Sequence, residues 1–125
     1  MIGRIHHRHE FDELARGRRV QTTTLWCRHL DEPTVVPVRV AFAIGRNVGN
    51  AVRRNRLRRR LRAILLGLAV PGGLLVDGRL VQGRLLIGAR SAALERTFVE
   101  LQQEVGELLQ ALAAGRPVLP AGGAR

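Results

Sequence analysis

Between positions 46 and 62 the chain places eight arginines and no acid, and a leucine-rich stretch begins inside the same segment. Leu57, Leu61, Ile64, Leu65 and Leu68 fall at i, i+4, i+7, i+8 and i+11, one stripe of an α-helix. Asn55, Arg56, Arg58, Arg59 and Arg62 fall on the opposite side of the same wheel, while Arg53 and Arg54 precede the stripe. Asn50 stands where a helix N-cap belongs. Pro71, Gly72 and Gly73 end the pattern. The stripe is the width needed to pack on a sheet, and the strands predicted around it need that cover.

The chain of 125 residues carries 21 basic residues, all arginine, against 10 acids, a net charge of +11. Nine of the arginines and none of the acids lie in residues 33–76, and the rest of the chain is close to balanced. A solvated helix face normally mixes signs. A positive field this local is a docking surface for phosphate, as nucleic acid or as an anionic membrane. The hydrophobic share of 46% excludes a disordered tail and fits one domain. A single cysteine, Cys27, excludes an internal disulfide and fits a reducing cytoplasm. Residues 1–30 hold no apolar stretch of about 7–15 residues, so no secretory signal is expected there. No run approaches about 18 apolar residues, so no transmembrane helix is expected.

Residues 9–16 read as a short helix with Phe11 and Leu14 on one side and Gly17 as its end. Residues 19–30, with Val20, three threonines, Leu25 and Trp26, read as one strand. Val38, Val40, Phe42 and Ile44 alternate with Arg39, Ala41 and Ala43, the clearest strand in the chain. Asp77-Gly78 between Leu74-Leu75-Val76 and Leu80-Val81 predicts a small hairpin over residues 74–81. Leu85, Leu86 and Ile87 form a short buried strand running to Arg90. Thr97 and Glu100 form a capping box ahead of Phe98, Leu101, Val105, Leu108 and Leu112 at helical spacing. The order α-β-β-α-(hairpin)-β-α is an α/β sandwich, with residues 1–114 as the domain and 115–125 as a disordered tail.

A catalytic centre is missing from this pattern. Without lysine there is no P-loop and no Schiff base, and no C-x-x-C or H-E-x-x-H motif occurs. The basic region holds no carboxylate for a metal-dependent nuclease. His6, His7 and His9 have no further ligand spaced to complete a metal site, so no protein-bound metal is expected. Four aromatics and no tyrosine argue against a generic single-strand stacking platform. Arginine remains as the binding tool, with a planar fork that grips phosphate and stacks on bases.

The string from Arg46 through Gly49-Asn50-Ala51-Val52 and Arg54-Asn55-Arg56 to Arg62 resembles the signature of the bacterial ribonuclease P protein component. Arg4-Ile5 with Phe11, Gly88-Ala89-Arg90, and residues 97–112 resemble that family's first segment, last strand end and final helix. The resemblance implies a two-layer α/β (α+β) sandwich in the order α-β-β-β-α-β-α, with the arginine-rich helix in a left-handed β-α-β crossover. It implies a protein subunit that binds a large catalytic RNA and, with it, removes the 5′ leader from precursor tRNA. Catalysis and the Mg²⁺ ions are then expected in the RNA, with no membrane or small-molecule partner and a cytoplasmic location. By the same resemblance Arg46, Asn50, Arg53, Arg54, Asn55, Arg56, Arg58, Arg59, Arg62 and Arg90 are expected on RNA, and Phe11, Trp26 and Arg28 in a leader cleft. Asn47 stands where the family often has a basic residue, and no second cleft aromatic stands near Leu14-Ala15. Residues 72–82 are longer and more apolar than the family pattern.

Two other classes compete. A structural RNA binder of ribosomal or nucleoid type shares the charge, but phosphate neutralisation alone does not require an asparagine between the arginines. A basic amphipathic membrane helix over residues 51–68 would leave the strands uncovered.

Overall fold

The computed structural model describes residues 2–5 and 8–114. A two-residue strand β1 (Gly3–Arg4) is followed by helix α1 (Arg8–Leu14) and strands β2 (Arg18–Gln21), β3 (Leu25–Leu30) and β4 (Arg39–Ala43). Then come helix α2 (Ala51–Leu68) and three short strands, β5 (Ala69–Val70), β6 (Gly73–Val76) and β7 (Arg79–Val81). Strand β8 (Arg84–Ala89), a 3-10 turn (Ser91–Glu95) and helix α3 (Phe98–Ala113) complete the order. Apart from β1 and the three short strands, this is the α-β-β-β-α-β-α order that the family resemblance implies. Residues 115–125 of the expected tail lie outside the described residues, as do His6 and His7.

The main sheet runs β1-β4-β8-β3-β2. β4 is parallel to both β1 and β8, while β3 is antiparallel to β8 and to β2. One face carries Leu25, Cys27, Val40, Leu85 and Ile87, which pack against Leu57, Leu61, Ile64 and Leu65 of α2 and Leu101, Val105 and Leu108 of α3. The other face carries Trp26, Arg28, Ala41 and Leu86, because side chains alternate along a strand. Helix α1 lies against β3 and β8 there, and Leu14 is fully buried beneath it.

The strand read over residues 19–30 is two strands. Thr22, Thr23 and Thr24 form the turn between them, although β-branched residues favour extended backbone. The turn is held from outside by Glu104 of α3. Thr22 Oγ1 donates to Glu104 Oε1 at 2.6 Å, Thr24 N at 2.9 Å, and Thr24 Oγ1 to Oε2 at 2.7 Å. Arg96 Nε stands 3.2 Å from Oε2, so the buried carboxylate is both hydrogen-bonded and paired. The hairpin over residues 74–81 is present. Asp77 and Gly78 have φ of 50° and 73°, the left-handed pair that a two-residue turn of primed type needs. Helix α3 starts at the predicted Thr97 box, but Phe98 is 39% exposed rather than part of the apolar stripe.

Two arginines fasten α1 to the sheet. Arg84 Nη1 donates to Glu13 Oε1 at 2.6 Å and its Nε lies 2.8 Å from Glu32 Oε1. Arg28 Nη1 donates to the carbonyls of Ala15 and Gly17 at 3.1 and 3.4 Å, just past the helix C-terminus, where a cation also suits the helix dipole.

Two tests follow from this packing. Leu61 is fully buried between α2 and the sheet, so Leu61→Ala should lose about 2–5 kcal/mol in denaturant titration. A wild-type midpoint would mean that the helix is differently phased. The second test concerns acid. Burial raises the Glu104 carboxyl pKa, but the bonds from Thr22 and Thr24 and the Arg96 charge outweigh burial and hold it below its ordinary 4.5. The unfolded chain therefore takes up this proton first as the pH falls. The stability that Glu104 contributes is complete above about pH 4.5 and is lost as the pH drops through the lower folded value. Glu104→Gln should flatten that part of the stability profile, read from melting temperatures between pH 6 and pH 3.

Candidate nucleic-acid interface

The loop before α2 is built to aim the helix. Val48 is buried, and its N–H donates to Gly45 O at 3.0 Å to close a turn. A Cβ on Gly49 would stand 2.5 Å from Leu94 Cδ1, so a side chain there would push the Leu94 side chain aside. Asn50 caps the helix as predicted, its Oδ1 accepting from Arg53 N at 2.9 Å. One lone pair of that acceptor is thereby used, and the exposed amide nitrogen of Asn50 remains as a donor for a ligand. Arg54 is half-buried, and its Nε donates back to Gly49 O at 3.0 Å. Arg46 and Asn47 are exposed on the loop itself.

The helix does not show one flat arginine face. Its arginines wrap around two flanks. Arg53, Arg56 and Arg60 lie beside the 3-10 turn with Ala93 and Leu94. Arg53 pairs with Glu95 there, and Arg60 Nη1 reaches Arg96 O at 3.4 Å. Asn55, Arg58, Arg59 and Arg62 lie on the other flank, where with Arg4 and Phe42 they line a groove of about 490 Å³. Arg58 is anchored rather than free: Nη2 donates to Ile44 O and Nη1 to Asn55 Oδ1, both at 2.8 Å. Arg62 stands over the Phe42 ring, 6.0 Å from its centroid. Arg46, Arg56 and Arg59 are exposed, and their side chains make no hydrogen bond or ion pair among the described residues. The motif Arg54-Asn55-Arg56 thus points in three directions: to the loop carbonyl, into the groove, and to the far flank.

The second positive surface is the open face of the sheet. Trp26 and Gly88 are register partners, and the indole lies so close over Gly88 that any side chain there would collide with it. Arg19, on the neighbouring strand, stands 5.1 Å from the indole centroid. Gln21 is the register partner of Trp26 on the other side, and its Oε1 accepts from Arg90 Nη2 at 3.4 Å. Arg90 also reaches Thr23 O at 3.2 Å and is exposed. Phe11 is 38% exposed on α1, one turn before the buried Leu14. Arg28 follows Trp26 by two residues on this face, with Nη1 already held by the end of α1.

Several of these residues were not among the site residues expected from the sequence. Arg4 joins the groove because β1 pairs with the edge of β4, a two-residue strand without a sequence signal. Phe42 alternates with core residues and reads as one of them, yet its ring is only partly buried and borders the groove. Arg19 and Gln21 come beside Trp26 only through the unforeseen β2–β3 hairpin. Among the described residues no three His, Cys, Asp or Glu side chains are grouped to hold a metal ion. Burial pushes the Cys27 thiol up to about 12, which removes it as a nucleophile.

A family model described as Ribonuclease P matches residues 3–113. The ribonuclease P protein component of Symbiobacterium thermophilum is 39% identical over 97 residues, 77% of this chain and 77% of that one. That of Acidothermus cellulolyticus is 39% identical over 99 residues, covering 77% of this chain and 75% of its own length. Among solved structures, a Staphylococcus aureus RNase P protein mutant superposes with a TM-score of 0.73 at 20% identity, covering 87% of this chain and 86% of that one. The RNase P protein of Thermotoga maritima gives 0.67 at 21% identity, with 86% and 96% covered. The fold matches, the match with the family runs through the arginine helix and both flanking halves, and the chain belongs to the ribonuclease P protein family, as an RNA-binding component of that ribonucleoprotein.

Proposed function

We propose that α2 and its preceding loop bind the ribonuclease P RNA and that the open sheet face takes the 5′ leader of precursor tRNA. We assign bond cleavage, and the Mg²⁺ ions it uses, to the RNA. The observation that carries this reading is the character of α2. Its charged groups are all guanidiniums, which donate hydrogen bonds and charge but transfer no proton at neutral pH and ligate no cation. Such a surface neutralises phosphate and so helps two polyanions, the catalytic RNA and its substrate, to approach. On the sheet face Trp26, exposed Phe11 and the arginines beside them suit a single strand, whose bases stack while its phosphates meet Arg19 and Arg90. The remaining positions, Arg46, Asn50, Arg53, Arg54, Asn55, Arg56, Arg58, Arg59 and Arg62, surround α2 and its loop. No helix among the described residues is long and apolar enough to cross a membrane. A cytoplasmic location suits an RNA partner of this kind.

Reconstitution with ribonuclease P RNA tests the whole reading. The protein alone should leave precursor tRNA intact, and adding it to the RNA should lower the Mg²⁺ needed for cleavage. Robust site-specific cleavage by RNA-free protein would sink the assignment. Trp26→Ala should weaken binding of precursor tRNA to the holoenzyme by about tenfold, the worth of one stacked base, and leave leaderless tRNA unaffected. Equal losses on both substrates would move the leader elsewhere.

Arg59 separates charge from shape. It is exposed and without a protein partner among the described residues, so Arg59→Ala should leave the melting temperature unchanged. It should weaken RNA binding and reduce the slope of log affinity against log salt by about one. An unchanged slope would remove Arg59 from the interface.

A further inference from the structure

The two flanks of α2 carry similar charge but differ in shape. Beside Arg53, Arg56 and Arg60 the surface leaves a cavity of only about 10 Å³, and Glu95 already pairs with Arg53. Beside Asn55, Arg58, Arg59 and Arg62 it opens into the groove of about 490 Å³. A phosphate backbone running along a helix needs charge and no cavity. A groove of that size has room for a small planar ligand on an open surface. Its floor also holds an aromatic ring, which a phosphate cannot use.

We infer that this groove receives one unpaired nucleotide lifted out of its stack in the RNA partner, while the opposite flank only tracks phosphates. The inference deepens the RNA-binding reading and rests on it. Phe42 and the Arg62 guanidinium are two planar groups against which a base stacks. Arg4 and Arg59 are both exposed at the rim, where a nucleotide's own phosphate would sit. Arg58 is immobilised by Ile44 O and Asn55 Oδ1, so it enters the groove with a fixed orientation and little rotamer entropy to lose.

The hydrogen-bonding character of the groove narrows the base. Four arginines contribute only donors. The one acceptor among the lining side chains, Asn55 Oδ1, already spends one of its two lone pairs on Arg58, and the Asn55 amide nitrogen adds donors, so donors dominate the groove. A wall of donors matches a base edge made of acceptors. Guanine offers N7 and O6 side by side, whereas adenine replaces O6 with an amino group that would meet donors. Asn55 fixes Arg58 through Oδ1 and adds the donors of its own amide nitrogen.

The test uses four RNA hairpins of one sequence: fully paired, or with a single bulged guanosine, adenosine or abasic residue. Each is titrated with the full-length protein at one salt concentration. The bulged guanosine should bind on the order of tenfold tighter than the paired hairpin, and the abasic bulge should bind like the paired one. The adenosine bulge should fall between them. Phe42→Leu, which keeps an apolar side chain, should remove most of the guanosine advantage and leave the paired hairpin unaffected, and Asn55→Ala should narrow the gap between the guanosine bulge and the paired hairpin. An abasic bulge as tight as the guanosine bulge, or a guanosine advantage that survives both substitutions, overturns the inference. Wild-type protein that binds none of the four hairpins would overturn the RNA-binding reading itself.

Discussion

Everything in this molecule depends on the burial of one side of α2. Seven of its residues are arginine, and no acid stands in its first turn. Arg54 and Arg58, Arg56 and Arg60, and Arg58 and Arg62 are like-charged pairs four residues apart, which oppose a helix. Positive charge at the helix N-terminus opposes its dipole as well. As an isolated peptide this segment would be a poor helix. It holds because Leu57, Leu61, Ile64 and Leu65 are removed from water against the sheet and α3, and because Asn50 caps its start. The apolar core thus supplies the free energy that keeps a strained charge array in order. An RNA that neutralises the array relieves the repulsion, so binding and stability are linked.

The arginines divide by what lies within reach. Where a backbone carbonyl or a carboxylate is close, the guanidinium becomes part of the framework: Arg28 on the end of α1, Arg54 on the loop, Arg84 between Glu13 and Glu32. Where no acceptor is close, as at Arg46, Arg56 and Arg59, the charge faces outward. The first group sets the shape of the interface and the second supplies its charge. Removing Arg84 would loosen α1 over the sheet before it changed any contact with RNA, because its side chain is only 14% exposed and joins two segments.

Much of this was legible in the sequence, and the limits have physical causes. The core and cap of α2 could be read because helical period, Asn50 and the acid-free block all agree. The β6–β7 hairpin could be read because Asp77-Gly78 is a local signal with one preferred geometry. The Thr22–Thr24 turn could not, because its cause is Glu104, about eighty positions away, and threonine by itself argues for strand. The groove was hidden twice over. Arg4 reaches it through a two-residue strand, and Phe42 obeys the alternation of a core strand while keeping part of its ring at the surface. Wheel geometry placed Arg58 and Arg62 on the outer side of α2, but long side chains fold back along a helix, and both came to rest half-buried on its flank.

The exclusive use of arginine has a structural reason as well as an electrostatic one. Arg28, Arg58 and Arg84 each hold two acceptors with one guanidinium. At Arg58 the two acceptors, a main-chain carbonyl and an amide oxygen, are both 2.8 Å from separate terminal nitrogens. A lysine ammonium carries the same charge at one point on a flexible stem and cannot span such a pair with fixed geometry. Arg58 therefore joins β4's end to α2 and presents its remaining donors in a set plane. A lysine at this position would keep the net charge and the long-range attraction for phosphate. It would lose the plane, and with it the ordered wall of the groove.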